Sequence, residues 1–155
     1  MKNLIPVLLC FLFAMNSQAQ IVFEYSFDDS VLEAAEQGNK KLFKRLTKGE
    51  LGKISLSDKG KMPDEIWEGG IPCTVAAVLK NSEGKIIFTT KKIKNTFFPG
   101  PIFFPGPIFF PGDLFDELQS DKYQIVFVVE PANPKYRELM SKKTMGTPLV
   151  FKLKK

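Results

Sequence analysis

Tyr123-Gln124-Ile125-Val126-Phe127-Val128-Val129-Glu130 alternates cleanly, with Tyr123, Ile125, Phe127 and Val129 on one face and Val126 and Val128 on the other. A period of two over eight residues is a β-strand. Working outward from it, Cys73 to Leu79 is an almost unbroken apolar run and reads as a second buried strand. Asn81-Ser82-Glu83-Gly84 is a hairpin turn, and Lys85 to Ile93 returns as its partner. On the carboxy-terminal side, Thr147 to Lys154 forms a last strand, with Leu149, Phe151 and Leu153 inward and Lys152 and Lys154 outward. Outward lysines suit a sheet edge, where charge deters pairing with other chains.

The amino-terminal part reads differently. Ile21 to Phe27 alternates as a strand, and Asp28-Asp29-Ser30 stops it. Ser30 and Glu33 have capping-box spacing, so a helix is expected from Val31 to about Gln37, broken by Gly38-Asn39. A second helix follows from Lys40 to Lys48, with Leu42, Phe43 and Leu46 on one face and Gly49 as its stop. Lys53 to Ser57 reads as a short strand, Asp58-Lys59-Gly60 as a turn, and Met62 to Pro72 as irregular chain carrying Trp67. Asp113 to Leu118 suits one helical turn, and Asn133-Pro134 opens a short helix through Met140. The order of elements predicts an α+β fold: a short helical hairpin (31–48) packed on an antiparallel β-sheet or β-sandwich (73–155).

Residues 1–19 have the three parts of a cleaved secretory signal: Lys2, an apolar run from Leu4 to Met15, and a polar end with small residues at Ser17 and Ala19. The apolar run is shorter than the roughly 20 residues that span a bilayer. The expected mature chain, 20–155, is a single domain with no transmembrane helix, exported to the periplasm or beyond. Removal of Lys2 lowers the net charge from +5 to +4, too little to suggest a nucleic-acid partner. Cys10 leaves with the signal, so Cys73 stands alone and no intrachain disulfide can form.

The 155 residues contain no histidine. Ser-His-Asp and Cys-His catalysis are thereby excluded, as are zinc sites built on histidine or several cysteines. No catalytic, cofactor or metal residues are assigned. The carboxylate clusters Asp28-Asp29, Glu65 with Glu68, and Asp113 with Asp116-Glu117 read as helix-capping or solvated charge. Should two of them converge in a cleft, they would suit glycan hydrolysis. Cys73, among apolar neighbours, reads as an inert core thiol.

The hexapeptide Phe97-Phe98-Pro99-Gly100-Pro101-Ile102 repeats from Phe103-Phe104 and again, truncated, from Phe109-Phe110 to Gly112. Each Phe-Pro-Gly suits a type II turn with positive φ at glycine, and the prolines disfavour regular sheet or helix. The six phenylalanines Phe97, Phe98, Phe103, Phe104, Phe109 and Phe110, together with Trp67, are the candidate contact residues. The bland alternative is a duplicated, dispensable loop.

Val31-Leu32-Glu33-Ala34-Ala35-Glu36-Gln37-Gly38-Asn39, followed by Leu42-Phe43 and Leu46, resembles an ankyrin repeat, with Gly60-Lys61-Met62-Pro63 where a next repeat would begin. The resemblance covers one repeat length; an ordinary helical hairpin accounts for it equally, and either must pack on the sheet. The rest, with its turn ending Gly84-Lys85, its strand opening at Tyr123 and its lysine-rich last strand, is similar in pattern to small secreted β-sandwich modules. These include the carboxy-terminal sorting modules of type IX secretion cargo. The expected function is an exported, non-catalytic binding or structural module whose partner is a protein or a cell-envelope surface. The alternative is a carboxylate-dependent glycan hydrolase of the envelope or extracellular space.

Overall fold

Alternating apolar positions form β1 (Phe23–Phe27), and a helical hairpin follows as α1 (Asp29–Gln37) and α2 (Asn39–Leu46). The chain continues through β2 (Gly52–Leu56), α3 (Asp64–Gly69), β3 (Ile71–Lys80), β4 (Ile86–Thr89), β5 (Ile93–Phe97) and β6 (Ile102–Phe103). It ends with α4 (Gly112–Glu117), β7 (Asp121–Pro131), α5 (Pro134–Leu139), β8 (Met145–Gly146) and β9 (Leu149–Leu153). The computed structural model describes residues 21–57, 62–100, 102–103 (backbone), 105–140 and 143–155. The expected signal sequence and the Asp58-Lys59-Gly60 turn lie outside them.

The fold is α+β, as expected, with two sheets. One runs β6-β2-β1-β8; the other runs β4-β3-β7-β9, with β5 beside β4 on the same edge of β3. Pairing is antiparallel except for β8, which lies parallel to β1. The central pair is β3 and β7, in register from Cys73 opposite Pro131 to Lys80 opposite Gln124. Both sheets contribute to one core. The rings of Tyr25 and Phe27 from one sheet meet Phe127 from the other at 5.6 and 5.2 Å, and Phe23 meets Phe97 edge-on at 5.4 Å.

Two local devices shape the second sheet. Thr90 is the one buried polar side chain among the described residues. Its Oγ1 accepts from Ala77 N–H at 2.9 Å and its own N–H donates to Ala77 C=O, so the break between β4 and β5 leaves no open bond on β3. At the start of β7 the Tyr123 hydroxyl donates to the Gln119 carbonyl at 2.9 Å, pinning the corner after α4.

The helical hairpin lies against β9 and α4. Phe43 stacks on Phe115 at 4.1 Å and meets Phe151 edge-on. Asn39 Nδ2 donates to the Lys152 carbonyl at 2.8 Å, covering part of the β9 edge.

Several expectations change. The capping box does not form: α1 starts two residues earlier than expected, with Asp28 at the cap and no side-chain cap bond. The Met62–Pro72 stretch is not irregular, since it holds α3 and the first two residues of β3. The expected return strand from Lys85 to Ile93 is β4 followed by a break, because Thr90 substitutes for a ladder bond. Asn133 caps α5 by accepting from Lys135 N–H, with Pro134 in the first turn.

Candidate functional site

The Phe-Pro-Gly segment does enter a sheet, against the expectation from its prolines. It runs antiparallel beside residues 56 to 46. Gly100 N–H donates to Leu56 C=O at 3.0 Å, and Ile102 and Phe103 pair with Ser55 and Ile54. Further along, Ile108 N–H donates to Gly49 C=O at 2.9 Å and Phe110 N–H to Leu46 C=O at 3.2 Å. Phe103 faces Ile54, and five residues onward on each chain Ile108 meets Gly49, so the register is the same at both ends. Between them the ladder opens. Pro105 and Pro107 have no N–H to give, and Gly106 takes φ +89°, which bows the chain outward. From β5, Asn95 Nδ2 donates to the Pro105 carbonyl at 2.8 Å and holds the bow in place.

The opened ladder is a cleft of about 470 Å³. Its apolar lining is Leu51, Ile108 and Phe127; Pro105-Gly106-Pro107 form one wall; Asp28, Lys48 and Glu50 supply charge. Phe109 stands at its rim, 56% exposed, over Gly49. A Cβ at Gly49 would come within 2.9 Å of the Phe109 ring, and its φ is +84°, so the position requires glycine twice over. An apolar depression with a few placed polar groups is the usual make-up of a ligand site.

The seven candidate contact residues separate. Phe97 is buried against Phe23, and Phe110 is buried with Phe88 and Phe115 around it. These two belong to the core and are unavailable as surface contacts. Phe109 is at the cleft. Phe98, 42% exposed, lies over Gly70, and Trp67, 49% exposed, precedes Gly70 by one turn on α3. The side chain of Phe103 and all of Phe104 lie outside the described residues. Although all three copies share Phe-Phe-Pro-Gly, they are used differently. In the first copy the leading phenylalanine is buried and the next exposed; in the third the order is reversed.

Asp28 and Glu50 both line the cleft, with Asp28 4.0 Å from Lys53 Nζ. Glu65 is instead engaged by Lys135 Nζ at 2.6 Å and the Tyr136 hydroxyl at 3.1 Å, which hold its carboxyl below the ordinary range. Asp113, Asp116 and Glu117 are exposed on α4. Among the described residues no three His, Cys, Asp or Glu side chains come together as metal ligands. Cys73 is buried, its thiol donates to the Ile71 carbonyl at 3.4 Å, and burial pushes its pKa up to about 12. It is not a nucleophile at neutral pH.

Sequence reasoning marked Asp28 only as part of a charge cluster and missed Lys48, Glu50 and Phe127. They meet because the ladder register brings residues 46–56 and 100–110 side by side, and the available signal was Pro-Gly-Pro, at 99–101 and again at 105–107. Compared with known protein families, curated proteins and solved structures, the chain matches none of them.

Proposed function

We propose that the chain is an exported, non-catalytic binding module whose ligand sits in the cleft between the Phe-Pro-Gly segment and residues 48–52. The observation that carries this reading is the opened ladder: a cleft of about 470 Å³ with an apolar floor, glycine and proline walls and three charged side chains. A repeat that merely lengthened a loop would not need Asn95 to hold it open. The export reading rests on the sequence of residues 1–19, whose basic start, apolar run and small residues at Ser17 and Ala19 have the order of a cleaved signal. No helix among the described residues is long and apolar enough to cross a membrane.

A second reading has one observation in its favour. Asp28 and Glu50 line the same cleft, the arrangement a carboxylate-dependent glycan hydrolase would need. A panel of immobilised peptides and glycans, probed with the wild type and with Pro107→Trp, separates the readings. The indole would lie across the cleft mouth. Ligands held by the wild type and lost by the variant support the binding module; binding that ignores the substitution overturns the cleft. Turnover of a glycan that vanishes in Asp28→Asn and Glu50→Gln, while its binding survives, would establish the hydrolase instead.

A further inference from the structure

We propose that the ligand is an acidic peptide segment, anchored by one apolar side chain in the cleft and running along the cationic face of α2. This rests on the cleft reading above and adds the chemistry of the partner. Between Lys40 and Lys48 the chain carries Lys40, Lys41, Lys44, Arg45 and Lys48 and no acidic residue. Lys41, Lys44, Arg45 and Lys48 line a second groove, of about 330 Å³, against Glu33 and Gln37 of α1. Lys48 lines both cavities, so the groove and the cleft meet at that residue. Lys41 Nζ donates to Gln37 Oε1 at 2.8 Å. Among the described residues Lys44, Arg45 and Lys48 make no ion pair.

Helix stability does not account for this row. The helix dipole favours cations at the carboxy end, which suits Lys44 and Arg45, but opposes them in the first turn, which holds Lys40 and Lys41 and no acidic residue of its own. A row of like charges that repel one another and partly oppose the dipole is complementary to an anionic partner. The floor favours a peptide: Leu51, Ile108 and Phe127 suit an apolar side chain, with Asp28, Lys48 and Glu50 as the charged groups around them. The reach also fits. Lys41 to Lys48 spans about 10 Å at 1.5 Å per residue, the length of roughly three extended residues.

The test uses a fluorescent synthetic peptide of one phenylalanine followed by four glutamates, titrated with the whole mature chain at low ionic strength. Controls are the same peptide with serines for glutamates, the peptide with alanine for phenylalanine, and a sulfated oligosaccharide of equal charge. The expected result is saturable binding, weakened by either peptide change and by salt. It should also fall about tenfold in Lys41→Gln/Lys44→Gln/Lys48→Gln, as three exposed charge pairs would give. A denaturant midpoint no lower than wild type in that triple variant shows that the loss is not unfolding. If Pro107→Trp abolishes binding but the triple variant does not, the cleft stands and the acidic partner is refuted. If the triple variant abolishes binding but Pro107→Trp does not, the cleft reading itself fails. Equal affinity for the sulfated oligosaccharide, or no binding of any probe, overturns the peptide assignment.

Discussion

Deleting Pro101 to Gly112 removes two of the three Phe-Pro-Gly units and leaves the first joined to Asp113. Judged from sequence alone, this is a harmless shortening, because closure entropy changes by only about 0.6 kcal/mol per doubling of loop length. The structure gives the opposite expectation. Ile108 and Phe110 are fully buried, and each such side chain contributes roughly 1.5–3 kcal/mol. The N–H groups of Ile108 and Phe110 bond to Gly49 and Leu46, adding roughly 0.5–1.5 kcal/mol each. The deletion also has a geometric fault. Gly100 is held at Leu56, whereas the chain before α4 is held at Leu46. Strand β2 alone covers about 13 Å of that distance at some 3.3 Å per residue, and one peptide bond spans 3.8 Å. Bonds at one end must break and α4 must move. The expected loss is at least about 4 kcal/mol, a large share of a typical domain's 5–15 kcal/mol. Urea denaturation followed by circular dichroism measures it. Phe110→Ala alone should cost about 3–5 kcal/mol, and exposed Phe109→Ala less than about 0.5 kcal/mol. A deletion variant with an unchanged or higher midpoint would refute the reasoning and restore the dispensable loop.

Cys73, buried with its thiol raised to about 12, should resist thiol reagents at neutral pH in the native protein and react once denatured; rapid native labelling would contradict its place in the core. Thr90→Val keeps the shape but leaves the buried Ala77 N–H without its acceptor, so it should cost about 1–3 kcal/mol in urea unfolding, and a neutral effect would mean the β4–β5 break is satisfied by water. The carboxyls of Glu65 and Asp121 are held low, the first chiefly by the Lys135 bond and the second chiefly by the Ser82 bond. A lowered folded pKa stabilises above the unfolded value, about 3.9–4.3, and that stabilisation is lost as pH falls through the folded one. The denaturation midpoint should therefore fall as the pH drops below about 4, and Glu65→Gln with Asp121→Asn should flatten that fall; an unaltered acid limb would show the bonds are not kept in solution.

The strands whose pattern is set by one half-buried face were legible residue by residue. β1, β7 and β9 each bury alternate positions as expected, and β3 is apolar through most of its length because both of its faces are buried from Val75 to Leu79. Pairing across the sheets was less legible. β8 is two residues, Met145 and Gly146, with no alternation to read. Its docking beside β1 depends on glycine, since a Cβ at Gly146 would come within 2.6 Å of the Tyr25 ring. β6 was hidden for a different reason. Prolines argue against a ladder residue by residue, yet the donors that lie between them, at Gly100, Ile108 and Phe110, suffice to zip the segment's ends. The cleft follows from that pairing and could not be read before it: Asp28 ends β1, Lys48 to Gly52 lead into β2, Pro105 to Ile108 come from the repeat, and Phe127 is central in β7.

Residue-resolved amide hydrogen exchange on the mature chain tests the account most directly, because the cleft exists only if the repeat is zipped to residues 46–56. Slow exchange is predicted at Gly100, Ile108 and Phe110, whose N–H groups are bonded, with fast exchange at Gly106 in the bow. Exchange across 100–110 at the rate of a free peptide would contradict it: the cleft would have no wall, and the binding site proposed there would not exist.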